Sequence, residues 1–133
     1  MFSYMMIGTN DLPRAIRFYD AVMGTLGHSR IQDGDRQWAS WGQPDPGPHI
    51  TVGAPFDGQP ARFGNGLMIS FLAGTRDQVD RFHAAALSSG GTDEGAPGLR
   101  PHYGPSFYAA YVRDADGNKL NAVCYRPEPD HVP

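Results

Sequence analysis

Apolar and polar positions alternate with two different periods along this chain, and each change of period marks an element. Phe2 to Ile7 is a short apolar run closed by Gly8, which reads as a strand, and Thr9, Asn10 and Asp11 then offer helix N-caps ahead of Pro13. Ala15, Phe18, Tyr19 and Val22 recur at i, i+3, i+4 and i+7. A helix with one apolar stripe is therefore expected, with Arg14, Arg17 and Asp20 on its outer side and Gly24 to Gly27 ending it. His28 to Gln32 and Gln37 to Trp41 flank Asp33-Gly34-Asp35 as a hairpin, and a third strand is expected at His49 to Gly53. The first module, residues 1–56, thus reads β-α-β-β-β.

From Ala54 to Gly66 the composition shifts to Pro, Gly, Asp, Gln and Asn, and we read 57–66 as the loop between two packed units. Leu67 to Leu72 repeats the opening strand. Thr75-Arg76-Asp77-Gln78 matches a capping box, and Val79, Phe82, His83, Ala86 and Leu87 form the buried stripe of a second helix closed by Gly90-Gly91. A weak strand over Thr92 to Gly95, a Pro- and Gly-rich loop through Gly104 and a final hairpin complete a second β-α-β-β-β over 67–127, leaving 128–133 as a tail. In that hairpin the strands flank Asp114-Ala115-Asp116-Gly117-Asn118, and Asn121 must point to the face opposite Leu120, Ala122 and Cys124. Arg17-Phe18 matches Arg81-Phe82, Ala21 matches Ala85 and Gly27 matches Gly91, all 64 positions apart, so the same shift places Met68 where Tyr4 stands in the first half.

Bulk properties narrow the function. A chain of 133 residues suits one domain with a real core, and its net charge of −3 without a basic stripe argues against a nucleic-acid partner. Leu67 to Ala73, the longest strongly apolar stretch, falls far short of the roughly 20 residues of a membrane span, and the N-terminus lacks a basic region followed by an apolar one. No membrane partner is expected. The single Cys124 excludes an intrachain disulfide and a multi-cysteine metal cluster, reads as a small apolar strand residue, and fits a cytoplasmic setting.

Several segments together bring a family into view: Ile7-Gly8-Thr9-Asn10-Asp11-Leu12 leading into Ala15-Ile16-Arg17-Phe18-Tyr19-Asp20, Val79-Asp80-Arg81-Phe82-His83 with Gly90-Gly91, and Asp114-Ala115-Asp116-Gly117-Asn118. In these the chain resembles the vicinal oxygen chelate superfamily, the glyoxalase, bleomycin-resistance and extradiol-dioxygenase group, over nearly its whole length. The last segment looks like that family's Asp-Pro-Asp-Gly-Asn turn with Ala115 in place of Pro. The resemblance implies an α+β fold of two βαβββ modules whose strands form an open, U-shaped mixed sheet, with helices on the convex side and a ligand cleft on the concave side. It implies a homodimer as one possible assembly.

Metal-dependent members of the family carry His, Glu or Gln at cleft-facing positions of four strands. The matching positions here hold Tyr4, Met68, Asn121 and, near the remaining one, His49 or Thr51. Phenol, thioether and carboxamide are poor donors for a hard or borderline ion, so no cofactor and no metal ligand is expected. A divalent metal held through His49 and His102 is the alternative. Among the other histidines, His83 falls on the second helix stripe, and His28 and His131 read as exposed.

Cleft-facing strand positions and the loop before the last hairpin are rich in aromatic and sulfur side chains: Tyr4, Met6, Trp38, Met68, Tyr103 and Tyr108, with Trp41, Phe107 and Tyr111 nearby. Such a lining suits a flat or apolar small molecule, with Thr51, Ser70, His102 and Asn121 to orient it. Trp38 and Trp41, three residues apart in one strand, cannot share a face. Two functions follow. One is a binding protein of the bleomycin-resistance type; the other is an enzyme of lactoylglutathione lyase-like ancestry, using metal or acid-base work by His49, Tyr4 or His102.

Overall fold

The computed structural model describes residues 1–32 and 37–128. Strand β1 (Tyr4–Gly8) leads into helix α1 (Leu12–Thr25), followed by β2 (Trp38–Gly42) and β3 (His49–Gly53). The second half runs β4 (Ile69–Leu72), α2 (Arg76–Ser88), β5 (Thr92–Leu99), β6 (Tyr108–Arg113) and β7 (Lys119–Cys124). The strands make two open sheets, ordered β1-β3-β2 and β4-β7-β6-β5. In each, the opening strand lies parallel to the last and the last antiparallel to the one before it. Each half therefore folds as an α+β module whose helix bridges a parallel pair and packs on one face of its sheet, as the alternation predicts.

The structure corrects several details. His28 to Gln32 does not form a strand; only a bridge between Arg30 and Trp41 stands there, and the expected turn at 33–35 lies outside the described residues. The weak strand at Thr92 instead runs to Leu99. It passes Pro97 because β5 is a sheet edge and its register shifts on either side of Gly95, absorbing the missing N–H. Strand β4 starts at Ile69, so Met68 lies just before it. On α2, Val79, Phe82 and Ala86 are buried but Leu87 is exposed, since it sits one residue, about 100° of helix, beyond the stripe.

Both helices are capped as their sequences require. The Asp11 side chain accepts from the N–H of Arg14, and Thr75 Oγ1 accepts from the N–H of Gln78. Gln78 Oε1 reaches back to the N–H of Gly74, at 2.7 Å. The helices pack on each other, and a single apolar core draws on both halves, with Ile7, Phe18 and Val22 from one and Phe71, Phe82 and Leu120 from the other.

The acidic turn of the last hairpin ties the halves together. Asp114 Oδ1 accepts the N–H groups of Asp116 and Asn118, and Gly117 takes φ +90°, where a side chain would also meet Phe63 at 2.8 Å. From this turn Asn118 Nδ2 donates to the Gly8 carbonyl, and the Asp116 carboxylate accepts from Thr9 Oγ1, the Asn10 N–H and Arg14 Nη2.

Candidate functional site

In the first sheet, strand alternation sends Met5, Ile7, Ile50 and Val52 toward α1 and leaves Tyr4, Met6, His49 and Thr51 on the open face. Register then sets their neighbours. Tyr4 lies beside His49, Met6 beside Thr51, Thr51 beside Ser40, and Gly53 beside Trp38. A Cβ on Gly53 would come within 3.0 Å of the Trp38 Cβ and 3.1 Å of the Gln37 carbonyl oxygen, so glycine lets the two strands approach here. Trp41 turns the other way, buried against Tyr19 with its indole N–H donating to Asp20 Oδ1.

These open-face groups line one hollow of about 830 Å³, which also takes in Gln32, Gln37, Pro44 and Phe56. Its walls mix these apolar groups with Gln32, Gln37 and Asp45, and the large side chains reach solvent: Tyr4 and Met6 are each 55% exposed and Trp38 is 41% exposed. At its floor the Ser40 and Thr51 hydroxyls share one hydrogen bond at 2.8 Å, which leaves one of the two O–H groups to donate elsewhere.

His49 stacks on Tyr4, with ring centroids 5.5 Å apart and planes 8° from parallel. Its Nδ1 lies 3.0 Å from the Gln43 carbonyl and 3.2 Å from that of Gly47. Carbonyls only accept, so Nδ1 is the donor in both bonds, and in the neutral ring the lone pair falls on Nε2.

The second sheet carries the other expected residues, on a face of its own. Ser70 of β4, Asn121 of β7 and Tyr111 of β6 stand side by side on the open face, opposite the core positions Ile69, Leu120 and Val112. Asn121 is 1% exposed, and its Oδ1 is buried without a hydrogen-bond partner. His102 and Tyr103 sit on the turn after β5, ring against ring at 4.1 Å, and Tyr103 continues onto Phe107 and Tyr125. Ser70 lines a separate apolar groove of about 610 Å³ between the halves, with Met5, Trp41 and Phe71.

The sequence-derived residues thus divide. The first hollow gathers Tyr4, Met6, Trp38, His49 and Thr51, while Ser70, Met68, Asn121, His102 and Tyr103 belong to the second half and do not line it. Tyr108 stands on the other face of its sheet, because its position in β6 turns it toward α2. There its hydroxyl donates to Asp80 Oδ1 at 2.6 Å and Arg76 lies over its ring. The bond to Asp80 is the main cause that pushes the Tyr108 phenol up to about 12.

Two residues of this face escaped sequence reasoning. Lys119 Nζ and the Arg100 guanidinium both lie over the Tyr111 ring, at 5.8 and 5.5 Å from its centroid. Lys119 was legible, being two residues before Asn121 in one strand. Arg100 was not, since it folds back over Gly98 and Gly95 from the end of β5 and donates to the carbonyls of Gly98 and Ala96.

A divalent ion of the kind expected for this architecture does not fit these side chains. Tyr4, His49, Thr51, Met68 and Asn121 offer one imidazole beside phenol, hydroxyl, thioether and carboxamide, and among the described residues no three His, Cys, Asp or Glu side chains cluster as ligands. No helix among the described residues is long and apolar enough to cross a membrane.

Two modules of this build, with open faces turned away from a shared helical core, define the vicinal oxygen chelate class. The chain belongs to the glyoxalase/bleomycin resistance protein/dioxygenase superfamily, whose family model matches residues 2–122. It is similar to a crystal structure of a glyoxalase/bleomycin resistance protein from Albidiferax ferrireducens, at 40% identity and TM-score 0.83 over 96% of this chain and 99% of that one. The fold is shared with a lactoylglutathione lyase from Agrobacterium tumefaciens, at 17% identity and TM-score 0.62 over 93% and 92% of the two chains. It is shared also with a fosfomycin resistance protein from Mesorhizobium loti, at 16% identity and TM-score 0.64 over 93% and 91%. No curated protein matches the chain.

Proposed function

We propose that this protein is a binding member of its superfamily, holding a small aromatic or apolar molecule on the open face of its first sheet without a divalent ion. The observation that carries this reading is the set Tyr4, Met6 and Trp38. They are large and solvent-reaching and line one hollow, around a Ser40–Thr51 hydroxyl pair joined by one hydrogen bond. Burying such surface under a flat ligand is favourable at about 25 cal/mol per Å², and ring stacking on Tyr4 or Trp38 adds to it. A second copy of the chain is part of the reading, because Leu67, Met68 and Leu72 leave a further apolar surface at the start of the second half.

The test uses chelator-treated protein titrated with indole, followed by tryptophan fluorescence and thermal shift. Saturable binding that weakens at least about fivefold in Trp38→Leu supports the reading. Binding that appears only after adding Zn, Ni, Mn or Fe, and is lost in His49→Ala, overturns it. Light scattering decides the dimer.

The stacked Tyr4–His49 pair favours a second reading, an acid-base enzyme of the lactoylglutathione lyase-like type acting on a small oxygenated substrate. The Nδ1 bonds hold the imidazole in place and leave Nε2 as the basic atom. Turnover that follows a single basic pKa and vanishes in His49→Gln would favour it.

A further inference from the structure

We propose that the open face of the second sheet is an anion site that receives the carboxylate of a small molecule over Tyr111, between Lys119 and Arg100. This goes beyond the aromatic hollow and does not depend on it, since the two faces share no lining residue.

The charge arrangement is the first support. The chain is acidic overall, yet two cations converge on one ring, and neither has a carboxylate partner among the described residues. Arg113, at the end of the same face, shows the contrast: its Nε donates to Glu94 at 2.6 Å and its Nη1 to the Gly117 carbonyl. Arg100 is held in place by backbone alone. Its two carbonyl bonds fix the guanidinium over Gly95 and Gly98, where a Cβ would come within 3.3 and 3.2 Å of its nitrogens. Glycine at both positions lets the group lie flat on the sheet. A charge held this way keeps its attraction for an outside anion, since carbonyl dipoles do not cancel it.

The polar groups beside the cations are the second support. Ser70, Asn121 and Tyr111 stand in one row across three strands, each step about 4.8 Å, and Lys119 is two residues along the strand from Asn121. The exposed Ser70 hydroxyl makes no hydrogen bond among the described residues, and the Asn121 carboxamide is unmatched at Oδ1. A buried acceptor left without a donor costs about 1–3 kcal/mol, and a hydroxyl carried by the ligand beside its carboxylate would supply the donor that Asn121 Oδ1 lacks. Acids near the row do not oppose an anion: Glu94 is engaged by Arg113, and Asp93 faces away to His83, at 2.9 Å.

Benzoate and its neutral isostere benzamide, titrated by calorimetry, test the proposal. Benzoate is expected to bind at least about tenfold more tightly than benzamide, to weaken about fivefold to tenfold in Lys119→Gln and in Arg100→Gln, and to recover in Lys119→Arg. Raising the salt to about 0.5 M should weaken it further, as screening of an exposed ion pair requires. Lys119 is solvent-reaching, so Lys119→Gln folds normally, and circular dichroism checks Arg100→Gln. Equal binding of benzoate and benzamide, or benzoate affinity unchanged in both variants, overturns the anion site and leaves the two cations as ring-packing groups. Indole is titrated in the same variants. Its loss in wild type would sink the aromatic hollow alone, and its retention beside a failed benzoate response would sink the anion site alone.

Discussion

The Tyr19 hydroxyl donates to Asp114 Oδ2 across 2.7 Å, joining the first helix to the turn of the last hairpin, 95 residues away in the chain. Both groups are buried, and Asp114 accepts further bonds at Oδ1 from two N–H groups and at Oδ2 from Asn118 Nδ2. A carboxylate so fully bonded is stable away from water, so this pair links the two modules instead of straining them.

Tyr19→Phe keeps the ring in the core and removes only the donor. It is expected to lower unfolding free energy by about 1.5–3 kcal/mol, the range for a bond to a charged group. Urea denaturation should show a lower midpoint with an unchanged slope, and an unaltered midpoint would mean that the bond adds nothing.

Alkaline pH should weaken the fold through two phenols. Burial, then the Asp114 charge, raises Tyr19 well above the ordinary 10.0, and the Asp80 bond raises Tyr108 to about 12. Both are neutral below 10, where their contribution is complete; above it the unfolded chain loses these protons first, so stability falls as pH rises. For Tyr19 the slope is up to about 1.4 kcal/mol per pH unit. For Tyr108 the effect ends near 12 and is smaller, because solvent screens its hydroxyl. Phenolate absorbance should show two late-titrating tyrosines, with one lost in each of Tyr19→Phe and Tyr108→Phe.

The repeat-related glycines Gly27 and Gly91 should respond differently to alanine. Gly27 has φ +85° and open space around its Cβ position, so Gly27→Ala costs about 1 kcal/mol of backbone strain. At Gly91 a Cβ would meet the Arg113 carbonyl at 2.7 Å, the Ala86 carbonyl at 2.8 Å and Phe18 at 2.9 Å. Backbone and a core ring cannot yield, so Gly91→Ala is expected to cost about 1–3 kcal/mol more, seen as the larger drop in melting temperature.

Much of the architecture was legible because it rests on local rules. The stripe Ala15, Phe18, Tyr19 and Val22 is buried as its spacing requires, Asp11 and Thr75 cap as their neighbours predict, and Trp38 and Trp41 face opposite ways. The second strand of the first module and the length of β5 were not legible. The first leaves a lone bridge at Arg30, and the second depends on a sheet edge that tolerates Pro97. Leu87 was read as buried because it keeps helical spacing from Val79 and His83, but the buried stripe of α2 is narrower and runs through Val79, Phe82 and Ala86.

By itself the sequence determined period, caps, the duplicated plan and the donor chemistry at Tyr4, Met68 and Asn121, since each follows from bonds and side chains within a few residues. Only the tertiary structure decided which aromatic residues share a surface. It sent Tyr108 to Asp80, set His49 against Tyr4, folded Arg100 across two glycines onto Tyr111, and placed the expected residues on two separate faces. These are meetings between segments distant in the chain. They depend on strand register and sheet order, which a local pattern constrains to one face or the other but cannot match with a partner.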